Sequence, residues 1–223
     1  MKFIALCLLL FGMSVVAQEQ ATRYELLSGR KMGVDDSKDF WDKRYADSSY
    51  IYGKAPAASL AQNIDYIPSS SRVLDVGMGE GRNAVFLARR GHKVVGVDIS
   101  KMAINKARAL AAESGVRIET VVSSMGHYEV APGSFDAIIC YYYVDKEIHS
   151  KLVRWLRPGG ILIYEAYTTR QKKNASHIDL DLSYLLEEGE VLGLFPGLRI
   201  LKYEEPLHRD DFTTFIIAQK PKR

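Results

Sequence analysis

One short run limits what this chain can fold into more than any other: Val73-Leu74-Asp75-Val76-Gly77-Met78-Gly79-Glu80-Gly81-Arg82-Asn83. An apolar strand leads into three alternating glycines, and a helical pattern follows at once. Glycines let a backbone turn tightly and approach a ligand closely. A second acid, Asp98, closes the next apolar run, Lys93 to Val97. In dinucleotide-type folds a carboxylate about 20 residues past the turn binds the ribose hydroxyls of an adenosine. Without the turn upstream, Asp98 would read as a capping acid ahead of Ser100.

The rest of the chain supplies matching elements. Pro68 to Ser71 signals a turn, and strands are expected at Arg72–Val76, Lys93–Val97, Arg117–Val122, Phe135–Tyr141 and Ile161–Tyr167. Helices are expected at Asn83–Arg90, at Lys101–Ser114 behind a Ser100 cap, at Lys146–Leu156 and at Leu182–Leu194, the last interrupted by Gly189. Arg157-Pro158-Gly159-Gly160 should break the third of these helices. Leu198–Glu204 and Thr213–Gln219 suit a closing antiparallel hairpin. Alternating strands and helices of this length imply an α/β, Rossmann-like domain. Its sheet should have seven strands, mostly parallel, with an antiparallel hairpin at the C-terminal end.

Composition narrows the function classes. At 223 residues the chain suits one domain, and its 47% hydrophobic and 26% charged content fits a soluble core-forming protein. A net charge of +3 is too weak to argue for nucleic acid. The first residues differ in character: Lys2, the apolar stretch Phe3 to Met13, and Val15-Val16-Ala17 before Gln18. That is the layout of a secretory signal peptide over residues 1–17, and the stretch is shorter than the ~20 residues a membrane span needs. No stable membrane span is therefore expected. The competing reading starts translation at Met13 or Met32 and keeps the chain cytoplasmic. On the first reading the chain is exported, residues 18–39 form a polar linker or arm, and residues 40–223 form the domain. Cys140 is then the single cysteine, so cysteine usage makes no case for an oxidising compartment. His127, His149, His177 and His208 lack metal-ligand spacing and read as surface residues, and His92 reads as turn-proximal. No metal is expected.

The glycine spacing separates two adenosine cofactors. The dinucleotide fingerprint would place its third glycine where Arg82 stands. S-adenosylmethionine (SAM) carries no pyrophosphate. It carries an ammonium and a sulfonium, which make an acid at Asp75 useful. No Tyr-x-x-x-Lys pair supports a short-chain nicotinamide enzyme, and no Asn-Pro-Pro-Tyr motif of a nucleic-acid methyltransferase follows the fourth strand.

The run LDVGMGEGRNAVFLARRGHKVVGVDIS resembles the first two motifs of class I SAM-dependent methyltransferases. It is most similar to the small-molecule branch that includes tellurite-resistance and thiopurine-type enzymes. The resemblance extends through FWDKRY, SFDAIIC and LRPGGILIYEAY, over roughly residues 40 to 220. It implies the class I fold, SAM as cofactor and a small-molecule acceptor. It also implies site roles. Gly77, Gly79 and Gly81 shape the loop around the methionine part, Asp75 orients the amino group, and Asn83 belongs to the same set. Asp98 binds the ribose and Ile99 packs on the adenine. The family's adenine-binding Asp is replaced by Ser124, with Met125 lining the same pocket, and Cys140 and Tyr141 lie beside the methionine moiety. Trp41, Tyr45 and Tyr52 either cover the cofactor or staple the arm to the core.

Of Tyr141, Tyr142 and Tyr143, strand alternation should turn one to the active site and the others to the core, which makes Tyr142 or Tyr143 the substrate candidate. Methyl transfer from a sulfonium is an in-line displacement and demands no acid or base. An alcohol or phenol acceptor would need a base, for which Tyr142, Tyr143 and Glu165 are candidates. The rival reading is an exported module that binds SAM or adenosine without catalysis, because SAM is made in the cytoplasm. The sequence sets no oligomeric state.

Overall fold

A computed structural model describes residues 34–173, 182–206 and 212–222. The expected signal peptide at 1–17, the linker through residue 33, and His177 and His208 lie outside the described residues. The expected arm does not stay irregular to its end, because helix α1 spans Val34–Arg44. A short helix, α2, follows at Ala58–Gln62.

The central unit alternates as the apolar runs demand. Strand β1 (Arg72–Val76) leads to α3 (Arg82–Ala88), β2 (Lys93–Asp98), α4 (Lys101–Glu113), β3 (Glu119–Val122), β4 (Phe135–Tyr141), α5 (His149–Trp155) and β5 (Leu156–Tyr167). The closing strands are β6 (Arg199–Glu204) and β7 (Thr213–Gln219). All seven join one sheet in the order β3-β2-β1-β4-β5-β7-β6. Strands β1 to β5 run parallel, and β7 is antiparallel to both β5 and β6.

Burial on both faces explains why the inner strands read as unbroken apolar runs. Leu74, Ile138, Leu162 and Tyr164 face a core that holds the fully buried Trp155. Val73, Ala137, Ile139 and Ile163 face the opposite core, beneath α2, α3 and α4. Strand order reverses between β1 and β4, which opens a crevice at their C-terminal ends. Among the described residues no helix is long and apolar enough to cross a membrane.

Three expectations give way to tertiary structure. The helix expected over Leu182–Leu194 is two short 3-10 turns, Leu182–Tyr184 and Glu190–Gly193. Between them Leu186 pairs with the end of β5: its N–H donates to Tyr167 at 3.0 Å and its carbonyl accepts from Thr169 at 2.8 Å. A backbone committed to that pairing cannot also close helical turns. Helix α5 starts at His149 rather than Lys146, because the Asp145 carboxylate accepts from Glu147 N–H at 3.0 Å and makes a side-chain turn. The break expected at Arg157–Gly160 becomes an excursion within β5, where the register passes from Phe135↔Leu156 to Ala137↔Ile161.

Helix α3 sits close on α4 because Gly81, the residue ahead of it, has φ +84° and no side chain. A Cβ there would lie 2.7 Å from Cβ of Ala107. Gly115 has φ +67° but nothing within 4 Å of such a Cβ. Gly115→Ala should cost about 1 kcal/mol through backbone strain alone. Gly81→Ala should cost roughly 1–3 kcal/mol more, through overpacking against α4. Urea unfolding of both variants tests this, and equal losses would show that the helix contact does not matter.

Candidate functional site

The crevice at the ends of β1 and β4 contains a cavity of about 410 Å³. Asp75 reaches it from β1, and Gly77 to Glu80 form its floor. Gly77 has φ +61°, and a Cβ on it would lie 2.9 Å from the Tyr143 ring, so only glycine fits there.

Two buried carboxylates dominate the electrostatics. Asp98 ends β2, and its two oxygens accept from Gly79 N–H and Ser100 N–H, each at 2.8 Å. Burial pushes its pKa up to about 6, against the pull of those backbone donors. Asp75 is 2% exposed, and its Oδ2 has no hydrogen-bond partner. Burial, and then the charge of Asp98, push its pKa up to about 8, while nearby Arg82 pulls it down. The floor of the cavity is therefore electron-rich and under-compensated, a setting that favours a cationic ligand. A carboxylate offers about four acceptor positions, so Asp98 retains capacity for hydroxyl donors beyond its two backbone bonds.

Most of the expected site residues meet here. Asp75, Gly77, Gly79, Asn83, Asp98, Ile99, Ser124, Met125 and Tyr141 all line the cavity. Asn83 also has a structural task, since its Oδ1 accepts from Ala57 N–H at 2.9 Å and fixes the start of α2. Ser124 Oγ lies 3.1 Å from His127 Nδ1.

Three expected residues do not reach the cavity: Cys140, Gly81 and the candidate base Glu165, which lies behind its wall. Cys140 is fully buried in the core with Leu74, Val76 and Ile138, and its thiol contacts the Tyr143 carbonyl at 3.4 Å. The alternation of β4 turns it away from Asp75, and burial pushes its pKa well up. Gly81 packs against α4 instead of lining the ligand space.

Other expectations need correcting in the opposite direction. Tyr141, Tyr142 and Tyr143 all line the cavity rather than one of them. Tyr142 has φ +58°, so strand alternation stops at the end of β4. His127 is exposed as expected, yet it sits on the cavity rim. His149 is buried, with ring contacts to Tyr164 at 5.8 Å and Phe195 at 4.9 Å, and burial lowers its pKa.

Trp41, Tyr45 and Tyr52 combine the two roles left open for them. They line the cavity and also pin the N-terminal segment. Trp41 stacks on Tyr45 at 5.7 Å, and Tyr45 meets Tyr52 edge-on at 6.5 Å. The Asp42 carboxylate accepts from Ser100 Oγ at 2.7 Å and Met102 N–H at 3.1 Å, which ties α1 to the start of α4. Glu80, from the glycine turn, pairs with Lys106 at 2.7 Å and accepts from Tyr52 N–H at 3.4 Å.

Sequence reasoning missed Glu80, Arg82, Asp145 and Glu147, all of which line the cavity. For Glu80 and Arg82 the signal was their position inside the glycine run. Asp145 and Glu147 carried none, because they lie in a loop read as the start of a helix. Among the described residues no three His, Cys, Asp or Glu side chains gather as metal ligands.

Comparison with known proteins agrees with this geometry. Residues 73–160 match the methyltransferase domain family. The tRNA 5-carboxymethoxyuridine methyltransferase of Escherichia coli K12 is 31% identical over 142 residues, 56% of this chain and 54% of that protein. The ubiquinone biosynthesis O-methyltransferase of Alkalilimnicola ehrlichii is 33% identical over 125 residues, 52% of this chain and 49% of that protein. The chain thus spans about half the length of the curated relatives it matches. The crystal structure of TehB from Haemophilus influenzae aligns with TM-score 0.61 and 18% identity, over 83% of this chain and 67% of that one. At that identity it shows a shared fold and not a shared branch. The strand order and the likeness to solved methyltransferase structures show the class I methyltransferase fold, and residues 73–160 within it match the methyltransferase domain family.

Proposed function

We propose that this protein transfers a methyl group from SAM to a small-molecule acceptor by in-line displacement. The observation that carries the reading is the unpartnered Asp75 Oδ2, buried in the cavity floor beside Asp98. SAM meets that site with an ammonium, a sulfonium and two ribose hydroxyls, which are the groups these carboxylates lack. When bound, SAM supplies an activated methyl group and a thioether leaving group.

The residues divide the work by position. Asp98 would hold the ribose, and Ile99, Ser124 and Met125 the adenine side. Asp75 would hold the amino group over Gly77. Trp41, Tyr45 and Tyr52 cover this end and exclude water, which strengthens each electrostatic contact inside. The tyrosines at the ends of β4 and β5 face the acceptor side. Alignment in a closed space supplies most of what such a displacement requires.

The acceptor class rests on cavity size and charge. A cavity of about 410 Å³ suits a cofactor with a small partner, and a net charge of +3 gives little hold on a polyanion. One relative's name specifies a tRNA nucleotide and another's ubiquinone biosynthesis, so both acceptor classes belong in the test. With radiolabelled SAM, label should enter small thiols, phenols or chalcogen anions and not bulk tRNA. Label in tRNA would overturn the acceptor assignment.

The buried carboxylates also predict a trade between stability and binding. Asp75 holds its proton more tightly in the folded chain than in the unfolded one. Its ionisation therefore erodes stability as pH rises from about 4 toward 8. Asp75→Asn should melt higher than the wild type, with a small gap near pH 5 that widens to roughly 5 °C or more near pH 9. The same variant should lose the upward Tm shift that SAM gives the wild type. A variant that is less stable near pH 9, or that keeps the full shift, would contradict this role for Asp75.

A further inference from the structure

Behind the cavity wall lies a carboxylate that the reading above does not use. Glu165, on β5, is 7% exposed and has no ion pair among the described residues. Two hydroxyls point at it. Ser59 Oγ, from α2, donates to Oε2, and Tyr142 Oη donates to Oε1 at 3.1 Å. Both are hydroxyls that can donate to the carboxylate. A buried anion without a cation is costly and is retained where it has a task.

Tyr142 links this carboxylate to the cavity. It lines the cavity, whereas Glu165 does not. Its backbone is held at φ +58°, a costly conformation for a bulky residue. Its N–H donates to the Glu165 carbonyl at 2.7 Å, so main chain and side chain are both anchored on the same residue. That anchoring holds the phenol between carboxylate and cavity. The ring lies 4.9 Å from Tyr167, and Tyr167 and Tyr184 continue the wall. The Arg82 guanidinium sits 6.0 Å from the Tyr142 ring centroid.

We propose that the acceptor is a phenol-class hydroxyl compound whose proton leaves through Tyr142 to Glu165. This rests on the methyltransferase reading and deepens it. The tyrosine wall suits a flat acceptor. A phenol relay is matched in acidity to a phenolic hydroxyl, the condition under which proton transfer is most effective. In the step, the acceptor O–H bond breaks as its oxygen bonds to the methyl carbon. The carbon–sulfur bond breaks with its electron pair going to sulfur, which neutralises the sulfonium. The acceptor proton moves to Tyr142 Oη as the proton of Tyr142 moves to Glu165 Oε1. Tyr142 is the catalytic residue, and Glu165 acts through it.

The test compares wild type, Tyr142→Phe and Glu165→Gln. Each is assayed for label transfer from SAM to phenols graded in acidity and to hydrosulfide near pH 8, where hydrosulfide is already largely an anion. Calorimetry measures the SAM affinity of each and confirms that the site is folded. Both variants should lose about 100-fold in kcat on weakly acidic phenols, and the loss should shrink as the phenol becomes more acidic. SAM affinity should stay within about threefold of wild type, and the loss on hydrosulfide should be at least about tenfold smaller than the loss on weakly acidic phenols. Equal losses on phenols and hydrosulfide, or no loss, would overturn the relay. Wild-type protein that binds SAM but methylates no phenol would overturn the acceptor class and leave the methyltransferase reading standing. Absence of SAM binding would overturn both.

Discussion

The structure depends on one unfavourable placement: two carboxylates, Asp75 on β1 and Asp98 on the neighbouring β2, buried beside the crevice that opens where strand order reverses. Each sits at or near the C-terminal end of a central strand, where the sheet fixes it and water cannot solvate it. Their pKa values, about 8 and about 6, record that cost. Stability alone gives no reason to keep such a pair, since apolar replacements would pack the crevice more cheaply. A cationic adenosine ligand gives one. The glycine turn supplies the other half of the arrangement, because it brings the Gly79 N–H to Asp98 and leaves open space over Asp75.

The N-terminal segment completes the site from outside the sheet. Asp42 binds the start of α4, Glu80 binds Lys106, and the Trp41–Tyr45–Tyr52 series lies over the glycine turn. These contacts couple cofactor enclosure to the packing of α4, the helix whose close approach requires Gly81. The fold and the ligand space are thus set by overlapping residues. A change in the turn should disturb both at once.

Much of this was legible in the sequence because the informative signals are local. The bounds of β1, β4 and β7 follow from short, mostly apolar runs, and Ser100 caps its helix as the pattern implied. Asp75, Gly77 and Asp98 announce themselves by spacing. What failed depended on distant contacts. Residues 182–194 have helical periodicity, yet the end of β5 claims their backbone at Leu186. Strand alternation places Cys140 away from the ligand, which the resemblance overrode. The same rule misled for the three tyrosines, because Tyr142 leaves strand geometry and no local pattern marks that. The sequence offers Glu165 as a candidate base but does not show what it touches. Its meaning comes from Ser59 and Tyr142, which only the fold brings to it.

The central claim is that the Asp75–Asp98 floor waits for a cation. SAM titrations by calorimetry near pH 7, repeated in buffers with different protonation enthalpies, test it most directly. At that pH Asp75 is mostly protonated in the free protein, and binding a cationic amino acid group should drive its ionisation. Release of about one proton per SAM bound by the wild type is expected. Tight binding with no proton release from the wild type, or no binding by folded protein, would contradict it.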